Sequence, residues 1–566
     1  MCVLRDARYR GLLRMRIILC AILGFPHPEE RPSGRVSKDA RLECSRFFQS
    51  AFLLALLLCW ASSAPQAADT PTTQALYQTH CADCHGADRL GGQGPALLPE
   101  TLRRLSRDKA VSVIADGRAA TQMPAFGDEI DKDAITGLVD LIYTPLPDLP
   151  TWDRAEIEAS RTLYEPVTVT APVFDADPLN LFVVVESGDH HVTILDGDRF
   201  EPLHRFPSRY ALHGGPKFGP QGRYVYFGSR DGWVTKYDLY ALAPVAEVRA
   251  GINLRNIALS GDGRFVAVAN YLPHSLVLLD AQDLSLLKVV PALDRLGKTT
   301  SRVSAVYQAR PRKSFIVAMK DIPELWEVMA DEAAEPVYSG LVHSYETGMK
   351  EALASESGLF AVRRIELSQP LDDFFFDTDY RNLIGSSRDS GEGVVVNLNV
   401  GREIERVALP GMPHLGSGIT WSHRDRPVMA TPHLKGGKVS VIDMTDWRLV
   451  KTIETQGPGF FMRSHENTPY AWVDVFFGPH KDLLHVIDKR SLEIVKTLQP
   501  APGKTAAHVE FTRDGRHALI SVWDMEGAIV VYDAATLEEV KRIPMVKPSG
   551  KYNVHNKITL SAGTSH

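Results

Sequence analysis

One phrase recurs along this chain and limits its fold more than any other feature. An apolar strand ending in aspartate, then five or six polar residues and another strand, appears at Val192-Thr-Ile-Leu-Asp196, Val234-Thr-Lys-Tyr-Asp238 and Leu276-Val-Leu-Leu-Asp280. It returns at Val439-Ser-Val-Ile-Asp443, Leu484-His-Val-Ile-Asp488 and Val530-Val-Tyr-Asp533. The aspartates fall 42, 42, then 45 and 45 residues apart. Two degenerate copies, around Leu325-Trp-Glu-Val328 and Val394-Val-Val-Asn397, fill the gap between Asp280 and Asp443 and bring the number to eight. A period of 40 to 45 with four short strands per unit is that of a β-propeller blade, whose radial repetition protects sheet edges. An ordinary β-sandwich is the alternative, but it does not repeat this regularly over about 340 residues. The stretch from Gly340 to Ser357, helix-like with His343 and Met349, reads as an insertion on one face.

Ahead of the repeats the texture is helical. Leu76, Tyr77 and His80, and then Ile135, Leu138, Leu141 and Ile142, keep the three-and-four spacing of a buried helix face. Pro145, Pro147 and Pro150 then break the pattern and mark a linker. The expected fold class is therefore a small all-α domain followed by an all-β eight-bladed propeller. The expected boundaries are a leader over 1–68, the helical domain over 69–144, a linker over 145–165 and the propeller over 166–566.

The leader reads as an export signal. Arg41 and Arg46 precede the apolar Ala51 to Trp60, and Ala61 to Ala68 offers small residues for cleavage. The stretch before it, with a weaker apolar run from Ile17 to Phe25, is expected to be dispensable. Ten apolar residues are too few to span a bilayer, so an exported, periplasmic protein that does not span a membrane is expected. The first 68 residues hold ten Lys and Arg against five Asp and Glu, leaving 53 against 64 in the remainder. So acidic a chain lacks the clustered cations that nucleic-acid binding needs.

Of six cysteines, four lie in the leader, so the remainder has only Cys81 and Cys84. They stand in Cys81-Ala-Asp-Cys84-His85, the attachment motif of c-type haem: two thiols add to the porphyrin vinyl groups and the adjacent imidazole ligates iron. A redox Cys-x-x-Cys pair is the alternative. The helical flanks and the export signal favour covalent haem c. Met123, in Thr121-Gln-Met-Pro-Ala-Phe126, is the only methionine between Met15 and Met319 and is the candidate sixth ligand. A thioether there raises the haem potential and suits electron acceptance.

The chain further resembles the cytochrome cd1 nitrite reductase superfamily, over nearly its whole length after the leader and in the same domain order. The resemblance rests on Tyr210-Ala-Leu-His213, Gly228-Ser-Arg-Asp-Gly232, Gly411-Met-Pro-His-Leu-Gly-Ser-Gly418, Phe461-Met-Arg-Ser-His465, Ile520-Ser-Val-Trp-Asp524 and Gly550-Lys-Tyr-Asn-Val-His555. It implies a second, non-covalent haem d1 in the propeller channel, with His213 as proximal iron ligand and His414 as one active-site histidine. The second histidine of the nitrite reductases is missing: the matching stretch is Asp372-Asp-Phe-Phe-Phe-Asp-Thr378. His508, in Ala506-Ala-His-Val509, stands where those reductases do not usually have one.

Nitrite reduction needs two protons delivered at the iron-bound oxygen, and loss of one imidazole impairs it. The pattern, with Gly91-Gly-Gln-Gly-Pro-Ala-Leu97, is more similar to the branch of the superfamily that dehydrogenates dihydro-haem d1. That branch turns a propionate side chain into acrylate in the last step of haem d1 biosynthesis. The resemblance then implies His414 as base, Tyr552 as hydrogen-bonding assistant and His508 as distal ligand, with His414 the other imidazole that could fill that place. Arg230 and Arg255, and by a less close match Lys217, become the cations for the substrate carboxylates. Arg230 has an alternative as an Arg-Asp turn salt bridge, worth under about 1 kcal/mol if exposed. The implied partners are dihydro-haem d1, an external electron acceptor such as a periplasmic cytochrome or cupredoxin, and transiently the nitrite reductase. A respiratory nitrite reductase and a haem d1 carrier are the two other functional classes. The remaining histidines are expected to be structural: His190 and His191 in a hairpin turn, His423, His480, His517 and His566 in loops or at the surface. His433 and His465 lie near the matched motifs and are open between the two roles.

Overall fold

The computed structural model describes residues 72–565 apart from 93, 104, 118–122, 149, 339–354 and 388–389. The expected leader and signal peptide lie outside the described residues. In the helical domain, α1 (Thr73–His80), α2 (Ala82–His85), α3 (Pro99–Leu102), α4 (Arg107–Asp116) and α5 (Lys132–Ile142) follow in order. Three start where a side-chain oxygen caps the first turn: Thr72, Ser106 and Asp131 accept from the amides of Ala75, Lys109 and Ala134. Their apolar faces meet in a core of Tyr77, Leu102, Ala110, Ile114, Ile130, Ile135, Leu138, Val139 and Ile142.

Eight antiparallel blades follow, each with four strands. The recurrent phrase is the third strand of a blade, and the turn after it explains its aspartate. Asp196 accepts from the amides of Asp198 and Arg199, Asp238 from Tyr240 and Ala241, Asp488 from Arg490 and Ser491, and Asp533 from Ala535 and Thr536. Asn397, in a degenerate copy, takes the amides of Asn399 and Val400 in the same way. A short acceptor at that position satisfies amides that leave the ladder, so the turn needs Asp or Asn.

The ring closes through the chain's end. Strand Pro548–Asn553 pairs with Leu181–Glu186, the register running Phe182 to Asn553, Val183 to Tyr552 and Val184 to Lys551. The first blade thus draws its inner strand from the C-terminal segment and its other three from the start of the propeller. The same segment ends in α7 (Val554–Thr559). In the fourth blade a two-residue ladder, Val337–Tyr338 with Ser355–Glu356, flanks 339–354, so most of the expected insertion lies outside the described residues.

The stretch read as a linker holds a helix that the proline spacing did not suggest, α6 (Arg154–Ser160). Asp153 and Glu156 form a reciprocal capping box, and fully buried Ile157 packs among Val234, Ala246 and Val248. Just beyond, Thr162–Leu163 pairs with Ala243–Arg249 as a fifth strand of the second blade. No helix among the described residues is long and apolar enough to cross a membrane.

Candidate functional site

The Cys-x-x-Cys-His motif occupies the junction of α1 and α2. Cys81 ends α1 and starts α2, and the His85 amide donates to its carbonyl at 2.9 Å. Both thiols are free, Cys81 half-buried and Cys84 exposed. The buried His85 ring points its Nδ1 at the Pro95 carbonyl, 2.8 Å away, so Nδ1 must carry the proton and Nε2 keeps its lone pair. Burial lowers the pKa of this imidazole and favours the neutral, ligating form. The glycines after the motif make this packing possible: a Cβ on Gly94 would stand 2.7 Å from His85 Cε1. Met123 is half-buried and packs on the same core as Cys81. Its loop is held to α4 by the Phe126 and Gly127 amides, which donate to Ile114 and Ala115. Two thiols, a neutral imidazole and a thioether on one small domain are a donor set that fits a covalent haem c.

Across the propeller, a cavity of about 760 Å³ gathers residues from blades far apart in sequence, among them His213, Arg230, Arg255, His414, His508 and Tyr552. Its size lies within the usual range for small-molecule and cofactor sites. His213 sits between the first and second blades. Its Nδ1 lies 2.6 Å from the Arg255 carbonyl and therefore donates to it, while Arg230 Nη2 stands 2.8 Å from Nε2. The Arg255 guanidinium is 3.2 Å from the same ring. Arg230 is thus turned toward His213, and the Asp231 carboxylate accepts from the Ser229 hydroxyl. Lys217 does not line the cavity, and its ammonium donates to the Gly214 carbonyl at 3.1 Å.

His414 faces the cavity in a similar way. Its Nδ1 lies 2.6 Å from the Phe460 carbonyl and its ring lies over the Phe460 ring at 4.3 Å. His508 reaches the cavity by a different device. It is the extra residue of a β-bulge, since Ala507 pairs with Ser521 and Val509 with Ile520, and its φ of 52° is left-handed. A bulge re-aims one side chain without ending the strand, and histidine tolerates this φ better than most residues. The ring sits between Phe461, at 4.8 Å, and Tyr552, at 5.0 Å. Burial, reinforced by the nearby Lys551 and Arg463, holds its pKa well below the usual histidine value. Burial likewise raises the Tyr552 pKa and keeps the phenol protonated. Gly215 and Gly550 leave room for that phenol: a Cβ on either would stand 3.0 Å or 2.4 Å from the Tyr552 side chain.

Several wall residues were not singled out from sequence. Asp372 and Asp373 line the cavity. Asp373 accepts from the Tyr307 hydroxyl and the Gly416 amide, both at 2.9 Å, and Lys320 bonds Asp372. His190 also lines the cavity, its ring 5.1 Å from that of Tyr210, so this turn histidine is not merely a hairpin residue. The positive φ of His190 follows from the tight turn, which the residue pattern signalled. His423 is buried in strand Ile419–His423, against the surface position expected of it. His433 and His465 are buried and do not line the cavity; His433 Nε2 lies 2.9 Å from the Ser440 hydroxyl.

Residues 176–339 and 352–557 match the cytochrome D1 heme domain model. The chain belongs to the cytochrome D1 heme domain family. Its helical part, residues 68–142, matches the model for cytochrome c oxidase, cbb3-type, subunit III. The chain is 56% identical to the "Dihydro-heme d1 dehydrogenase" of Pseudomonas aeruginosa, over 88% of this chain and 97% of that protein. It is similar to the solved structure of "Dihydro-heme d1 dehydrogenase NirN in complex with DHE", with a TM-score of 0.79 and 56% identity over 86% of this chain and 99% of the other. The nitrite reductase of Stutzerimonas stutzeri is more distant, at 26% identity over 89% of this chain and 96% of its own length. The superfamily resemblance and the two-part architecture expected from sequence are both those of this D1-family protein.

Proposed function

We propose that this protein dehydrogenates dihydro-haem d1, converting a propionate side chain to acrylate in the last step of haem d1 biosynthesis, in the periplasm. The observation that carries the reading is the convergence on one cavity of His213, His414 and His508 with the half-buried Tyr552 and the arginines Arg230 and Arg255. His213, its Nδ1 tied to a main-chain carbonyl, is the proximal ligand to the substrate iron, and neutral His508 is the distal one. Arg230 and Arg255 bind substrate carboxylates as charge-assisted partners. Desaturation removes two electrons and two protons. His414 Nε2, basic because Nδ1 donates to Phe460, accepts a side-chain proton, and the Tyr552 phenol donates a hydrogen bond to the substrate.

Cys81, Cys84, His85 and Met123 would hold the haem c, which would supply one-electron acceptance when bound. The helical domain sits on the propeller through Arg249, whose guanidinium donates to the Leu90 carbonyl at 2.6 Å and the Asp231 carbonyl at 2.9 Å. Leu90 lies five residues after His85, and Asp231 follows Arg230, which supports electron passage between the two sites. Electrons leave one at a time to an external acceptor such as a periplasmic cytochrome or cupredoxin, and product passes to the nitrite reductase in a transient contact.

The test is an anaerobic incubation with dihydro-haem d1, followed by extraction and mass analysis of the non-covalent pigment. Loss of two hydrogens with reduction of haem c is expected. An unchanged pigment in a protein that turns nitrite into nitric oxide would make it a respiratory reductase, and neither activity would leave a haem d1 carrier.

A further inference from the structure

The two histidines assigned to the distal face, His414 and His508, lie on different blades, yet the His508 amide and the Phe460 peptide that receives the His414 ring meet at one carboxylate. Asp474 ends strand Tyr470–Asp474 and is wholly buried. One of its oxygens accepts from the amides of Phe460, at 2.7 Å, and Phe461, at 3.0 Å; the other accepts from the His508 amide at 3.2 Å. The peptide of Phe460 is therefore fixed by Asp474, and its carbonyl is the one that receives the His414 Nδ1 proton. The His508 peptide is gripped from its other side as well. The Lys551 ammonium donates to the His508 carbonyl and to the Ser521 hydroxyl, and the Lys551 side chain is also wholly buried.

A carboxylate and an ammonium removed from water are costly to keep and usually persist only where hydrogen bonds use them fully. Here the carboxylate is used by the amides of His508, Phe460 and Phe461, and the lysine by the His508 carbonyl and the Ser521 hydroxyl. A left-handed residue in a bulge is also a conformation that its surroundings must enforce.

We propose that Asp474 and Lys551 form a buried clamp that positions the distal face: it holds the His508 bulge between amide and carbonyl, and through the Phe460 peptide it sets the His414 ring. These are positioning residues. The inference rests on the roles proposed above for His414 and His508. Loss of such supporting partners around a ligating group costs about 10- to 100-fold in affinity or activity.

The test compares full-length Asp474→Asn, Asp474→Ala and Lys551→Met with His508→Ala and His414→Ala, using dihydro-haem d1 as the probe. Two readouts are taken, turnover and the visible spectrum of the bound tetrapyrrole, which reports axial ligation. Asn keeps an acceptor for the Phe amides but presents an NH₂ to the His508 amide. Asp474→Asn is expected to lose 10- to 100-fold in turnover and to shift the bound spectrum to that of His508→Ala. Asp474→Ala is expected to lose the His414 contribution as well. Adding Asp474→Asn to His508→Ala should cost nothing more in the spectrum, because the clamp then has no ligand left to place. Variants whose haem c spectrum and melting differ from wild type are judged by Lys551→Met, which leaves the carboxylate in place and must give the same spectral shift. Asp474→Asn and Lys551→Met with wild-type spectrum and turnover would overturn the clamp. Wild-type behaviour of His508→Ala and His414→Ala themselves would overturn instead the roles on which it rests.

Discussion

The substitution Gly94→Ala tests how tightly the haem-ligand loop is built. The new Cβ would lie 2.7 Å from His85 Cε1 and 2.9 Å from Nδ1, where ordinary carbon contacts begin at 3.4 Å. The imidazole must therefore retreat by about 0.7 Å. It has little room, because Nδ1 is bonded to Pro95 at 2.8 Å and Gly94 itself donates to the Cys84 carbonyl at 2.8 Å. Overpacking of this kind costs about 1–3 kcal/mol. If the His85–Pro95 bond breaks, a buried polar group is left unpaired for about 1–3 kcal/mol more. Together they predict about 2–6 kcal/mol lost from the helical domain, and at roughly 4–8 °C per kcal/mol its melting falls by about 10 °C or more. The assay is thermal unfolding followed at a c-type haem absorbance band, with the haem potential measured alongside. The proton on Nδ1 sets how much electron density Nε2 offers, so weakening its bond to Pro95 should also move that potential. A variant that melts at the wild-type temperature with an unmoved potential would refute the argument that Gly94 is there to admit the ring.

Three further outcomes follow from other parts of the molecule. His485 Nε2 accepts the Gln456 amide at 3.2 Å while Nδ1 faces the Thr497 hydroxyl, and burial lowers its pKa to about 4. The unfolded chain then binds a proton that the native state refuses, so the stability of the wild type relative to His485→Asn should shrink as pH falls from about 6.5 to 4, by up to about 3 kcal/mol. Denaturant titrations across that range check it, and a pH-independent difference would contradict it. Arg249→Met removes the one of its two bonds that crosses to the helical domain, at Leu90, so docking should weaken by about 1.5–3 kcal/mol. Proteolytic cleavage near Pro145–Pro150 should then rise at least about tenfold, and unchanged cleavage would show that other contacts carry the docking. Met123→Ala should change the oxidised visible spectrum of haem c, and an unchanged spectrum would remove Met123 as a ligand.

The sequence by itself determined what is local and periodic. The aspartates 42 and 45 apart reported the repeat because six of the eight blades carry the same short acceptor after the third strand, a requirement met within three residues of chain. One of the two degenerate copies kept it, as Asn397. The haem-attachment motif was legible for the same reason, since two thiols and an imidazole one helical turn apart need no distant partner. The helix Arg154–Ser160 was also written locally, in its capping box, but the prolines before it drew the reading toward an extended linker.

Tertiary structure decided the rest. His213, His414, His508 and Tyr552 share a cavity only because the C-terminal strand closes the ring and brings position 552 against position 183. No spacing in the chain announces this; the motif resemblance could name the residues but not their neighbours. His508 faces the channel because a bulge inverts one residue of a strand whose alternation alone would not require it. Asp474 looks in sequence like any other strand-ending aspartate. Its surroundings differ because the packing of neighbouring blades buries it beside the Phe460–Phe461 and His508 amides, which offset the cost of a desolvated carboxylate.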